Sequence, residues 1–366
     1  MDLTINKDTL MEGIQTVQNA VSQKSSLPIL SNVLLEVEKN TLKLTATDLD
    51  IGICSTIGID NAQDGAITVP ARKFFDIVKA LPDGSEINLA IKKNNFMTIK
   101  SGKAQFRIIG LPKEEFPQLP VFKDKDSITV DQAAMKGMLN LTDFAMSKDD
   151  SRYVLNGILL SIKGDNMTIV ATDGRRMAAM NKKLPKKTLV DREVIIPTKT
   201  VQELKRMLGE EGEIKIKFSD NQVLFSFPQS FILSRLIEGE YPNYKKVIPD
   251  RSPTEMKVGR EDFLSAARRA SIFTDQDSMA IKLSIKKTKM TISKNTPYLG
   301  EAKEEIDVDF SGEDLEIGFN PRYLIDVLRS MTDEEIVFEV NDSTKPGVIR
   351  RGEDYTYVVL PMQLTT

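Results

Sequence analysis

Hydrophobic positions along this chain follow two spacings in turn, and the order of the two recurs. Leu10, Ile14, Val17 and Val21 fall at helical intervals, which predicts an amphipathic helix opening at Lys7-Asp8 and ending near Ser22-Gln23-Lys24, before Pro28. Asn32 to Glu38, Thr41 to Thr47 and Ile51 to Ile57 then read as short strands, with Lys39-Asn40 and Asp48-Leu49-Asp50 as turns. The order starts again with a strand at Ala66 to Val69, a helix from Ala71 to Leu81 introduced by Pro70, and Ile87, Leu89 and Ile91 alternating with polar residues before Lys93-Asn94-Asn95 turns the chain. Segments around Met97 to Ile99 and Phe106 to Ile108 follow. Leu111-Pro112 and Phe116-Pro117-Gln118-Leu119-Pro120 then form a Pro-rich link that marks a domain boundary.

Beyond Ile128 the order recurs. A helix is expected from Asp131 to about Ser147, capped by Asp131, with Met135, Met138, Thr142 and Ala145 in its buried stripe. Glu193 to Ile196 leads through Pro197 to a helix in which Val201, Leu204 and Leu208 share a face, followed by strands at Ile214 to Phe218 and Val223 to Phe227. Tyr241-Pro242-Asn243-Tyr244 echoes Phe116-Pro117. A third round comprises Glu255 to Val258, a helix from Glu261 to about Phe273, strands at Met279 to Ile285, Met290 to Ser293 and Glu304 to Asp309, then Leu315 to Phe319 and Asn320-Pro321 as N-cap and first residue of a last helix. Ile336 to Val340, Gly347 to Ile349 and Tyr355 to Leu360 complete it.

The best-marked copy runs from Leu155-Asn156-Gly157 to Ala171-Thr172-Asp173-Gly174-Arg175-Arg176-Met177. Leu30-Ser31-Asn32 and Ala46-Thr47-Asp48 stand about 125 residues upstream, and Met279 to Ser293 about 120 downstream. The expected fold class is therefore α+β, three units of about 120 residues, each holding two strand-helix-meander halves.

Composition narrows the chemistry. At 366 residues, 40% hydrophobic and 28% charged, the chain is long enough for several domains with real cores. A net charge of −3, from 50 Lys and Arg against 53 Asp and Glu, gives no overall basic excess. Cys54 is the only cysteine, which forbids an internal disulfide and any paired-cysteine metal or redox motif. The absence of His removes serine-histidine and cysteine-histidine catalysis and most zinc sites. No phosphate loop or dinucleotide fingerprint occurs, so no cofactor and no metal are expected. Neither a signal peptide nor an apolar run of membrane-spanning length is visible, and the expected location is the cytoplasm.

Basic residues recur on the helices. Arg72 and Lys79 share a face, with Asp76 between them; Lys199, Lys205 and Arg206 lie away from the apolar stripe of their helix; Arg268-Arg269, and Arg322 with Arg329, recur in the third unit, and Lys24, Lys136 and Lys148 add to the set. Each alone reads as a solvated face; pooled on one surface they would hold phosphates without reading bases. Asp48 and Asp173 occupy equivalent places and read as turn residues. Two other readings stand beside DNA binding: a carboxylate-dependent enzyme using Asp48 and Asp173, and a protein-binding scaffold that does not touch DNA.

Several motifs in fixed order resemble the bacterial sliding clamp, the beta subunit of DNA polymerase III: Leu27-Pro28-Ile29-Leu30, Thr45 to Asp48, Val69-Pro70-Ala71-Arg72-Lys73-Phe74-Phe75, Leu155-Asn156-Gly157, Ala171 to Arg176 and Tyr357-Val358-Val359-Leu360-Pro361-Met362. The resemblance covers the whole chain. It implies domains at residues 1–120, 127–250 and 253–366, and a head-to-tail homodimeric ring with helices lining a hole for duplex DNA. It also implies a non-catalytic role, tethering the polymerase III catalytic subunit, the clamp loader, other polymerases and repair proteins. Lys24, Arg72, Lys73, Lys79, Lys136, Lys148, Lys199, Lys205, Arg206, Arg268 and Arg269 would then face DNA. By the same resemblance, client peptides would dock on Leu155, Thr172, Gly174, Arg175, Arg176, Met177, Pro242, Val247, Asn320, Tyr323, Val358, Val359, Leu360, Pro361 and Met362, and Phe106, Ile272 and Phe273 would lie at the protomer interface. Arg175 stands where the family often has His and Gln363 where a basic residue is common, with Leu364-Thr365-Thr366 beyond; Asp149-Asp150 is acidic for a DNA-facing loop.

Overall fold

The computed structural model describes residues 1–22, 27–92, 94–120, 122, 127–184, 188, 191–275 and 278–364. Among them one motif, strand-helix-strand-strand-strand, occurs six times. The first repeat contains β1 (Asp2–Asn6), α1 (Lys7–Val17), β2 (Asn32–Glu38), β3 (Thr41–Thr47) and β4 (Ile51–Gly58), then β5 (Gly65–Pro70), α2 (Ala71–Ala80), β6 (Glu86–Lys92), β7 (Phe96–Ser101) and β8 (Ala104–Ile109). The second contains β9 (Ile128–Asp131), α3 (Gln132–Asn140), β10 (Gly157–Lys163), β11 (Asn166–Thr172) and β12 (Arg176–Lys183), then β13 (Arg192–Pro197), α4 (Thr198–Met207), β14 (Glu213–Phe218), β15 (Gln222–Ser226) and β16 (Ser230–Arg235). The third contains β17 (Glu255–Gly259), α5 (Arg260–Ser271), β18 (Ile281–Ile285), β19 (Lys289–Thr296) and β20 (Gly300–Phe310), then β21 (Leu315–Phe319), α6 (Pro321–Ser330), β22 (Glu335–Glu339), β23 (Gly347–Arg351) and β24 (Tyr355–Val359).

The two halves of each repeat interlock by antiparallel pairing. β2 pairs with β5, β10 with β13 and β18 with β21, while β1 pairs with β6, β9 with β14 and β17 with β22. Repeats are then joined edge to edge, β4 to β16 and β12 to β24. As a result the chain packs as two compact units, Met1–Ala133 with Gln202–Leu236, and Ala134–Val201 with Ile237–Thr366. The first unit holds a four-stranded sheet, β1-β6-β7-β8, and an eight-stranded one, β5-β2-β3-β4-β16-β15-β14-β9. The second holds a single sheet ordered β13-β10-β11-β12-β24-β23-β22-β17-β20-β19-β18-β21. The middle repeat is divided because its two meanders extend different neighbours.

Local chemistry accounts for the helices. The Asn6 side chain accepts from the Asp8 N–H at 2.8 Å and starts α1, whose Leu10, Ile14 and Val17 are buried. Gly13 lets this helix lie close on β4, since a Cβ there would stand 2.6 Å from Ile57 Cδ1. At α6 the Asn320 side chain accepts from Arg322 N–H at 3.0 Å and Pro321 follows as N1, as its sequence predicts.

Three expectations need correction, the first being the helix expected to end near Ser22-Gln23-Lys24, which stops at Val17 and is followed by a 3-10 turn, Gln18–Ala20. The helix expected to reach Ser147 ends at Asn140, because buried Thr142 leaves helical geometry at φ −128° and turns its hydroxyl back onto the Met138 carbonyl at 2.8 Å; a single 3-10 turn, Asp143–Ala145, follows. Strands β1 and β16 carry no expectation from periodicity, and each is fixed by a distant partner: Leu3 opposite Leu89, and Ile232 opposite Ile53. Strand β20 begins at Gly300 rather than Glu304, since Gly300, Ala302 and Glu304 give its inner face no large apolar residue before Ile306 and pairing with β19 out to Thr296 extends it.

Candidate functional site

In the second unit the turn between β11 and β12 is built from side chains. Thr172 Oγ1 donates to the Arg176 carbonyl at 2.6 Å and accepts from Gly174 N–H at 3.0 Å; Asp173 Oδ1 accepts from the N–H groups of Arg175 and Arg176 at 2.9 and 3.0 Å. The first unit repeats this at Thr47 to Ile51, with Asp48 Oδ1 accepting from Asp50 and Ile51 N–H at 3.0 and 2.8 Å. Both carboxylates are thus employed as turn acceptors, as their sequence positions suggested. The third residue of each turn has positive φ, 84° at Gly174 and 80° at Leu49.

Arg176 anchors this turn to the third repeat. Its side chain is 6% exposed, donates to Asp173 Oδ2 at 3.1 Å, Asp326 Oδ2 at 2.7 Å and the Phe144 carbonyl at 2.6 Å, and lies 4.5 Å from the Tyr323 ring centroid. Burial opposes its charge, but Tyr357, Asp326 and Asp173 outweigh that and hold the guanidinium above its ordinary pKa. Tyr357 in turn donates to the Tyr323 carbonyl at 2.9 Å. Arg176 is therefore a strut behind the surface.

Around this strut the β12–β24 junction forms a floor. Met177 pairs with Val358 and Arg176 with Val359, and Leu360 N–H donates to the Arg175 carbonyl at 2.9 Å. Met177 and Val358 join Leu159, Val170, Ala179 and Val348 in a buried apolar cluster, on which Tyr241, Tyr244 and Ile248 lie half-buried. Val247 and Leu360 stay 54% and 43% exposed at its rim, with Pro242 also exposed. Nearby, a cavity of about 400 Å³ is lined by Ser147, Lys148, Asp149, Arg152, Asp173, Arg175 and Tyr323. The Arg152 guanidinium lies over Gly174 and donates to the Asp173 carbonyl at 3.1 Å.

Among the residues expected at a peptide site, Gly174, Arg175, Pro242, Val247 and Leu360 are exposed. Thr172, Asn320, Tyr323, Pro361 and Met362 are half-buried, and Leu155, Arg176, Met177, Val358 and Val359 are buried. Arg152, Tyr241 and Tyr244 were missed by sequence reasoning. The Tyr-Pro echo of Phe116-Pro117 was the available signal for the two tyrosines, and no pattern marks Arg152.

Of the residues expected to meet DNA, Arg72, Lys73, Lys79, Lys148, Lys199, Arg206, Arg268 and Arg269 are exposed and Lys136 and Lys205 half-buried, while Lys24 lies outside the described residues. Acidic partners stand beside some of them: Arg206 pairs with Glu203 at 2.8 Å, and Arg269 with Glu304. Phe106 sits half-buried on β8, Ile272 is 73% exposed and Phe273 half-buried just after α5. No helix of the described residues is long and apolar enough to cross a membrane, and no group of three or more metal-ligating side chains is found among them.

The chain matches the family models of the DNA polymerase III beta subunit along nearly its whole length: the N-terminal domain over residues 1–120, the central domain over 129–243 and the C-terminal domain over 245–363. This chain belongs to the bacterial sliding-clamp family. The beta sliding clamp of Escherichia coli K12 is 34% identical to it, with 100% of each chain covered, and that of Chlamydia muridarum 33% identical, covering 100% of this chain and 99% of the relative. Among solved structures, the clamp of Pseudomonas aeruginosa bound to griselimycin superposes with a TM-score of 0.95 at 33% identity, and the Bacillus subtilis clamp with 0.95 at 31%, each covering 100% of both chains. The fold is that of the clamps, three repeated domains of helices and antiparallel sheets. Its function is that of a DNA sliding clamp in replication, a processivity subunit without catalysis of its own.

Proposed function

We propose that two copies of this chain close head to tail into a ring that encircles duplex DNA in the cytoplasm and tethers its clients there, with domains at residues 1–120, 127–250 and 253–366. One observation carries this reading. The strand ending the first half of one repeat pairs with the strand ending the second half of the next, β4 with β16 and β12 with β24. Continuing the series leaves β20 and β8 as the remaining members. β8 pairs only with β7, and β20 meets β17 only at Val308 to Phe310, so its Gly300 to Asp307 stretch has a free edge among the described residues. Glu301 on β20 and Arg107 on β8 offer opposite charges across such a contact, while Glu304 and Glu305 pair within the chain with Arg269 and Lys289. Exposed Ile109 and Ile272, at 66% and 73%, lie on or near the two edges, which supports Phe106, Ile272 and Phe273 as interface residues.

The groove over Met177 and Val358 takes an extended, largely apolar client peptide, from the polymerase catalytic subunit, the clamp loader or repair proteins. The side chains accessible to it are Gly174, Arg175, Pro242, Val247, Tyr323 and Leu360 to Met362, with Leu155, Thr172, Asn320 and Val359 shaping the wall and Arg176 bracing it. Arg72, Lys73, Lys79, Lys136, Lys148, Lys199, Lys205, Arg206, Arg268 and Arg269, with Lys24, supply a field for phosphates.

The test is retention. The protein is loaded by its clamp loader on nicked circular DNA, the salt is raised, and the circle is then cut. Persistence on the circle and rapid loss from the linear form is the expected result; equal stripping by salt from both rejects encirclement.

A further inference from the structure

The β12–β24 junction has a twin in the first unit. Gly52 lies opposite Leu233 where Met177 lies opposite Val358, and Arg235 N–H donates to the Asp50 carbonyl at 2.8 Å where Leu360 N–H donates to the Arg175 carbonyl. The same Thr-Asp turn precedes both junction strands. Over the sheet face runs a strap, Phe116 to Leu119, at the place in the repeat that Tyr241 to Tyr244 occupy in the second unit. Beside it is a cavity of about 540 Å³ in which Leu34, Cys54, Phe116, Leu119 and Phe231 form the apolar part of a lining that also carries Glu36, Lys43, Lys113 and Glu114. Duplication has therefore produced two grooves of one design.

They differ at one place. Gly52 stands where the second unit has Met177, and the Leu119 methyl groups lie 3.0 and 3.2 Å from where a Cβ of residue 52 would be. The volume that a methionine side chain fills in the second unit is taken here by a leucine from the strap.

We propose that Leu119, seated on Gly52, is a plug that ties the Phe116 to Leu119 strap down across the sheet face where an apolar peptide would lie, and so restricts each protomer to one client site. The proposal rests on the client-groove reading of the second unit. A tethered side chain competes at an effective concentration on the order of millimolar, so a peptide must displace a contact that the chain has already made.

Cys54 provides the readout. It is the only cysteine, 4% exposed, and lines the cavity. Burial raises its thiol pKa, with hydrogen bonds to Thr45 and Thr56 pulling partly back, so slow reaction of the intact protein with Ellman's reagent is the expected starting point. Leu119→Ser is expected to speed that reaction at least about tenfold. The same variant should bind two equivalents per protomer of a fluorescein-labelled peptide carrying the clamp-binding segment of the polymerase catalytic subunit, the second of which protects Cys54. Gly52→Ala, whose new methyl group drives Leu119 outward without deleting it, should act in the same direction. Unchanged labelling and a single bound peptide in both variants, melting as the parent does, overturn the proposal. Leu360→Asp separates the two readings: if it leaves the parent's peptide binding intact, the client groove is misplaced, while Cys54 labelling still decides whether Leu119 is a plug.

Discussion

Arg176 shows how much a single side chain holds here. It satisfies two carboxylates and a carbonyl from inside the protein, so its removal strands Asp173 and Asp326 in a partly buried place. Arg176→Met is expected to lower unfolding free energy by about 3 kcal/mol, read from the urea midpoint, and to weaken client peptide binding because the turn and α6 lose their brace. Asp48 makes the complementary case. Its side chain is a turn acceptor, so Asp48→Asn should leave the urea midpoint nearly unchanged, whereas Asp48→Ala should cost about 1 kcal/mol by leaving Asp50 and Ile51 N–H without that acceptor. An asparagine that abolished an activity while leaving stability intact would instead revive a catalytic role.

At the scale of elements, the free edges of β8 and β20 are the features that two-stranded pairing has left incomplete. If they meet across protomers, placing a charge where Ile272 stands exposed buries it unpaired in the interface. Ile272→Asp should raise the dimer dissociation constant by at least about a hundredfold, visible in sedimentation velocity, and shorten retention on closed circles while peptide binding to the second unit persists. A dimer of unaltered stability would place the contact elsewhere. Helix α3 behaves differently: its sequence continues an apolar stripe past Asn140, yet the Thr142 hydroxyl takes a backbone carbonyl and ends the helix early.

Across the whole molecule the six copies of one motif explain both the sheets and the distribution of charge. Basic residues on helices contribute through number, not through any single contact. Changing Arg72, Lys73 and Lys79 together to Gln should lower the slope of log affinity against log salt by about 0.9 for each phosphate no longer neutralised, measured on short linear duplexes. Retention of an already loaded ring on a circle at high salt should hardly change, because encirclement does not depend on those side chains. A ring that then slipped from the circle would mean that phosphate binding, rather than topology, keeps the protein in place.

The sequence by itself determined the repeat, the helices of strong periodicity and the Thr-Asp turns, since these follow from interactions within a few residues: spacing along one face, Asn320-Pro321 as a cap, Asp173 against the next two amides. Family motifs pointed further, to the residues proposed for the client groove. Tertiary structure alone decided what depends on distant partners. β1, β16 and the full length of β20 exist because remote strands offer them hydrogen bonds. The division into two units arises from β4–β16 and β12–β24 pairing. Arg176 became a buried strut, not a surface contact, because Asp326 approaches it from a helix 150 residues away. Two grooves of the same pedigree differ because Leu119 reaches Gly52, a meeting of residues that no local pattern connects.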